Sequence, residues 1–110
     1  MLILLIGTKE LDFTKGGGLI PVVVQDYKRK EVLMVAYMNE DALKKTLDTG
    51  YATYWSRSRK KLWMKGETSG NTQKIRKILV DCDYDVLLLL VEQKGNACHT
   101  DKHSCFHNQL

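Results

Sequence analysis

The 110-residue chain has a single proline, an odd count of three cysteines, and no apolar stretch near the roughly 20 residues that a membrane-spanning helix needs. Three cysteines without a secretory leader do not make a disulfide framework, and they favour a reducing, cytoplasmic setting. Residues 2–6 are apolar but stop at Gly7 and carry no basic segment before them. They read as a strand, not as a signal peptide or a membrane span. Internal repeats and low-complexity segments are also absent, which leaves one domain over residues 1–110.

What is present is the composition of a globular protein, 44% apolar and 27% charged. A domain of this size exposes much of its bulk as surface, so a partner subunit would help to stabilise it. A net charge of +4 attracts anions, yet the chain lacks the dense Lys/Arg tracts of a nucleic-acid tail. Phosphorylated small molecules fit that charge as well as RNA does.

The flexible stretch Lys15-Gly16-Gly17-Gly18 leads into a β-branched strand at 19–25, with Pro21 near its start, where a missing N–H is tolerated. Residues 26–31 form a turn, and 32–38 return as the second strand of a hairpin. Asn39 caps a helix, Glu40 and Asp41 place negative charge in its first turn, and Met38 with Leu43 makes a hydrophobic staple. Leu43 and Leu47 share one face of this helix, and Gly50 ends it. Strands follow at about 53–56, 62–65 and 73–80, and the apolar run 86–91 is a strand buried on both faces. The fold class is α+β, a compact and mainly antiparallel sheet with one principal helix.

All three cysteines fall between positions 82 and 105, spaced Cys82-x15-Cys98-x6-Cys105. Three thiolates suit zinc, and three protein ligands leave the open position that marks a catalytic site. His99, beside Cys98, is either a fourth ligand or a proton shuttle. Buried or free thiols are the plainer alternative. Asp81, Asp83 and Asp85 alternate, so an extended backbone would carry them on one face, with Cys82 and Tyr84 on the other. Three such carboxylates repel one another unless a cation such as magnesium, or cationic neighbours, sit among them; a solvated polar turn is the alternative. If the segment is extended, Cys82 faces away from its own Cys98 and toward a neighbouring subunit.

Between positions 54 and 65, Tyr54, Trp55 and Trp63 interleave with Arg57, Arg59, Lys60, Lys61 and Lys65, a pattern able to stack bases and hold phosphates, or simply a solvated hairpin with tryptophans in the core. Next comes Lys65-Gly66-Glu67-Thr68-Ser69-Gly70-Asn71, which offers hydrogen-bond donors on a glycine-rich backbone but lacks the Gly-Lys-Ser/Thr order of a Walker loop.

Taken in order, Gly18-Leu19-Ile20-Pro21, Glu31-Val32-Leu33-Met34-Val35-Ala36-Tyr37-Met38-Asn39, Tyr54-Trp55-Ser56-Arg57-Ser58-Arg59, Leu62-Trp63-Met64-Lys65-Gly66-Glu67-Thr68-Ser69-Gly70-Asn71, Asp81-Cys82-Asp83 and Ala97-Cys98-His99-Thr100 closely resemble the phosphoribosyl-AMP cyclohydrolase family of histidine biosynthesis. The resemblance implies hydrolytic opening of the N1–C6 bond of the adenine ring of phosphoribosyl-AMP, the third step of that pathway. It implies a cytoplasmic homodimer with active sites at the interface. One zinc ion per subunit would be held by Cys82 of one chain and Cys98 and Cys105 of the other, and magnesium by Asp81, Asp83 and Asp85. In that setting His99 is the proton-transfer group. Arg57, Arg59 and Lys65 are candidate phosphate holders, Ser58, Thr68, Ser69 and Asn71 donate hydrogen bonds, and Trp63 is a candidate substrate contact. The family's usual glycine after Cys-His-Thr is Asp101 here. The first 17 residues match none of these motifs, and no fused pyrophosphohydrolase domain is expected. A zinc-stabilised nucleic-acid-binding module is the rival class, disfavoured by the acidic trio and by too few ligands for a closed site. Neither nucleic acid nor membrane is an expected partner.

Overall fold

Alternation of Ile20, Val22 and Val24 sends one face of the first strand into the core. A computed structural model describes residues 7–110; the strand expected at 2–6 lies outside the described residues. Two short 3-10 turns, Thr8–Glu10 and Thr14–Gly16, precede β1 (Ile20–Asp26), β2 (Val32–Met38), α1 (Glu40–Thr49), β3 (Thr53–Ser56), β4 (Lys61–Met64), β5 (Gln73–Val80) and β6 (Leu87–Gln93). The main sheet has the order β2-β1-β6-β5, and β3 pairs with β4 in a separate hairpin. Every pairing is antiparallel except β1 with β6. The α+β, mainly antiparallel architecture with one helix is the expected one.

One face of the sheet is covered. Ile20, Val22, Val24, Met38, Leu87, Leu89 and Val91 bury themselves there with Leu33, Ala42, Leu43 and Tyr54. β6 lies between β1 and β5, and Leu87, Leu89, Leu90 and Val91 are buried, but Leu88 is only half-buried, so the strand is not covered on both faces as its apolar run suggested. The helix begins where expected: Asn39 Oδ1 accepts the Ala42 N–H at 2.8 Å, and Gly50, at φ 79°, closes it. Buried Thr46 ties the helix to β3, since its hydroxyl donates to Ala42 O at 2.9 Å and accepts from Thr53 N at 3.0 Å. The β3–β4 hairpin is fixed to the main sheet by a buried polar chain. Tyr54 Oη donates to Gln73 Oε1, and Gln73 Nε2 donates to Gln93 Oε1 at 2.8 Å. Burial pushes the Tyr54 phenol well above its usual pKa.

The opposite face of the sheet is open. Val35, Val23, Leu88 and Leu79 stand in cross-strand register there, one from each of the four strands, with Val35 47% and Leu79 41% exposed.

Candidate functional site

After β6 the chain folds back on itself and carries two of the three cysteines to the outer edge of β2. The Ala97 N–H donates to His103 O and the Cys98 N–H to Lys102 O, both at 3.1 Å, closing a small loop. Asp101, at φ 63°, turns that loop in the left-handed region, where glycine is favoured and aspartate is among the few tolerated substitutes. Docking follows immediately. The Ser104 hydroxyl donates to Val32 O at 2.7 Å, and the Cys105 N–H to Leu33 O at 2.7 Å.

Within this loop Cys98 is buried and lies against Thr100 Oγ1 at 3.0 Å, with His107 Nε2 at 4.0 Å. Hydrogen bonds from Thr100, first from its hydroxyl and then from its backbone, outweigh burial and, with lesser help from His107 and Cys105, bring the Cys98 thiol down to about 6. Burial and the neighbouring Cys98 push Cys105 the other way. The two thiols are thus pushed in opposite directions, and the more acidic Cys98 is the readier ligand for a soft metal.

Cys82 is elsewhere. It sits exposed on the turn that joins β5 to β6, with its Sγ 3.9 Å from Asp83 Oδ1. The seven residues of β6 separate it from Cys98, which at roughly 3.3 Å per residue is roughly 20 Å of strand. Among the described residues the three cysteines do not converge in one chain: the one group of three candidate ligands with atoms within 4.8 Å of one another is Asp81, Asp83 and Asp85.

The aspartates gather, but not as expected. The segment is a turn and not an extended strand, so strand alternation is not what brings the carboxylates together. Asp81 Oδ1 accepts the N–H groups of Asp85 at 3.0 Å and Val86 at 3.2 Å, Tyr84 N donates back to Asp81 O at 3.1 Å, and Tyr84 adopts φ 59°. These local bonds favour an Asx-type turn over the ladder. Burial raises the Asp81 carboxyl, but the Asp85 and Val86 N–H groups outweigh it and hold the pKa below the usual carboxylate value. The N-terminal segment, unplaced by sequence, packs here: Asp12 N donates to Tyr84 O at 2.7 Å, and Lys15 Nζ lies 3.4 Å from Asp85 Oδ2. Asp85, with a smaller contribution from Asp83, raises the Lys15 ammonium's pKa.

The basic hairpin borders a cleft of ≈ 530 Å³ between β2 and the β3–β4 pair. Arg57, Ser58 and Trp63 line it, together with Trp55 from the same aromatic, basic stretch and Tyr37, to which the sequence had assigned no role. The Arg57 guanidinium stacks 3.9 Å over the Tyr37 ring, and Trp63 packs on Tyr54 with centroids 5.3 Å apart. Arg59, Lys65, Thr68, Ser69 and Asn71 lie outside its lining. The Arg59 N–H is engaged by Ser56 Oγ at 3.2 Å, and Lys65 Nζ stands 5.7 Å from the Trp63 ring centroid. The 65–72 loop depends on Gly66, at φ 82°, where any Cβ would collide with the Asn71 and Thr72 backbone. Asn71 itself tucks against Gly95.

His99 is exposed beside Cys98. Two other histidines were not singled out from the sequence: His107, which faces Cys98 and Thr100, and His103, whose ring lies against Asp26 and Glu31. The spacing Cys105-x-His107 was a visible signal for the first; nothing local pointed to the second.

Residues 34–107 match the family model described as Phosphoribosyl-AMP cyclohydrolase. The chain is 66% identical over 101 residues to the Phosphoribosyl-AMP cyclohydrolase of Archaeoglobus fulgidus, covering 92% of this chain and 93% of that protein. It is 57% identical over 101 residues to that of Cenarchaeum symbiosum, covering 92% and 94%. A 60% match over 106 residues to the Histidine biosynthesis bifunctional protein HisIE of Caldanaerobacter subterraneus subsp. tengcongensis covers 96% of this chain and 51% of that protein. By this family match and these identities, the chain belongs to the phosphoribosyl-AMP cyclohydrolase family.

Proposed function

We propose that this cyclohydrolase of histidine biosynthesis works as a zinc- and magnesium-dependent homodimer, each zinc taking Cys82 from one subunit and Cys98 and Cys105 from the other. The observation that carries the proposal is the separation of Cys82 from the other two thiols by the length of β6. The donor chemistry fits the metals: soft thiols with one already acidic at Cys98, and three converging hard oxygens at the aspartate turn. Zinc bound there would supply the Lewis acidity that makes water nucleophilic near neutral pH, and magnesium would supply positive charge toward phosphate oxygens.

The reaction adds water to C6 of the substrate's adenine ring and breaks the C6–N1 bond. Ribose phosphate on N1 makes that ring cationic and C6 electrophilic. The flat faces of Trp55, Trp63 and Tyr37 in the cleft suit a cationic base. Arg57, held over Tyr37, together with Arg59 and Lys65, meets the two phosphates, while Ser58, Thr68, Ser69 and Asn71 donate hydrogen bonds. Opening the ring moves one proton from the water oxygen to N1. His99, exposed next to Cys98, carries it.

The open sheet face supports the dimer. The row of Val35, Val23, Leu88 and Leu79 spans all four strands, and Val35 also borders the cleft. Packing two such faces about a two-fold axis running across the strands reverses the strand ends, so that the Cys82 end of one subunit meets the Cys98 end of the other. His99→Ala is the test of the catalytic assignment. Ring opening, followed by absorbance, should fall about 100-fold or more with zinc content per chain unchanged. Loss of zinc instead would make His99 a ligand and remove it from proton transfer.

A further inference from the structure

We infer that His103 is a positioning residue for the zinc cysteines, clamping their loop to the start of β2 through Asp26 and Glu31. The inference rests on the reading that Cys98 and Cys105 hold zinc.

Three consecutive residues, Glu31 just before β2 and Val32 and Leu33 at its start, face three consecutive residues of the cysteine loop. Glu31 Oε1 lies 3.4 Å from His103 Nε2, Val32 O accepts from Ser104 Oγ at 2.7 Å, and Leu33 O accepts from Cys105 N at 2.7 Å. His103 Nε2 is buried without a hydrogen-bond partner in its present orientation; its polar neighbours are Glu31 Oε1 and, at 3.6 Å, Asp26 Oδ2. A bare lone pair would be repelled by two carboxylates, so Nε2 carries its hydrogen whether the ring is neutral or charged. Asp26 is itself fixed, while the Glu31 carboxylate, 47% exposed, also pairs with Arg29 at 3.8 Å. Asp26 is 9% exposed, its Oδ1 accepts the Lys28 N–H at 2.9 Å, and its N–H donates to Glu31 O at 2.8 Å. On the other side, His103 O accepts the Ala97 N–H, one residue before Cys98. His103 therefore joins three elements: its ring holds the β1–β2 turn, its carbonyl holds the approach to Cys98, and two residues on stands Cys105. Moving the ring shifts both thiols, and with them the geometry offered to a metal.

The test compares His103→Ala, His103→Arg and Glu31→Gln with the wild type, first without metal. In His103→Ala, amide exchange at Ala97, Cys98 and Cys105 should quicken about tenfold, and zinc affinity, measured by competition with a chelator, should fall about tenfold or more. His103→Arg should restore both, because a guanidinium spans two carboxylates, and Glu31→Gln should give a smaller loss of the same kind. If His103→Ala fails to fold, Glu31→Gln carries the test alone. Wild-type exchange and zinc affinity in either loss variant would overturn the clamp, as would His103→Arg behaving like His103→Ala. Should the wild type bind no zinc, the exchange rates still decide the clamp, and it is the metal reading that falls.

Discussion

The two ends of β6 carry the two candidate metal sets, and they are built in opposite ways. At its start, six residues close a turn on themselves and bring three carboxylates within 4.8 Å. At its end, a longer loop docks on a different strand and brings in only two of the three thiols. A set of ligands close in sequence can be gathered by local hydrogen bonds; a set split by a strand is not gathered in one chain, which is the ground for the proposal that two subunits share it.

Substituting one ligand at each end should separate the sets with the largest effect. Cys98→Ser is expected to abolish both zinc binding and ring opening, whereas Asp83→Asn should lower magnesium affinity and leave zinc content intact, as measured by metal analysis after dialysis. Loss of zinc in Asp83→Asn would erase the distinction between the two ends.

Each end also holds one non-glycine residue in the left-handed region, Tyr84 in the turn and Asp101 in the loop. Asp101→Val should cost roughly 1–2 kcal/mol in denaturant unfolding, and Tyr84→Gly should recover a similar strain. A neutral Asp101→Val would mean that the loop does not need this conformation.

Proton release sharpens the comparison further. Because Cys98 is depressed in the fold, the unfolded chain keeps that proton longer, so the metal-free protein gains stability as pH rises from about 6 into the ordinary thiol range, and loses it again on acidification through about 6. Ultraviolet thiolate absorbance of the metal-free chain should show a first step near about 6. Thr100→Val, which removes the leading hydrogen bond, should move that step upward. The smallest effect is expected at Lys15. Replacing it with Met removes a cation from the exposed mouth of the aspartate turn and should tighten divalent-cation binding only a few-fold, read by calorimetry in low salt.

The fold was largely legible because its signals are local. Asn39, the Met38–Leu43 staple and Gly50 bound the helix where they were expected to, and strands 32–38, 53–56 and 73–80 fall where the periodicity placed them. The aspartate trio was legible as a set but not in its shape, since a side chain accepting its own downstream N–H groups competes with extension and leaves no mark in an alternating pattern. His103 was invisible for another reason: its partners Asp26 and Glu31 lie more than 70 positions away, and only the fold brings them together. The role of residues 8–16, packed on the aspartate turn, was likewise a product of tertiary contact.

The sharing of zinc between subunits is tested most directly by complementation. Cys82→Ala and Cys98→Ala are each expected to be inactive alone. After subunit exchange, half of the dimers are mixed and each mixed dimer holds one intact site, so ring opening should return to about a quarter of the wild-type rate. Variants that stay inactive after exchange has been demonstrated would place all the ligands on one chain and contradict the account.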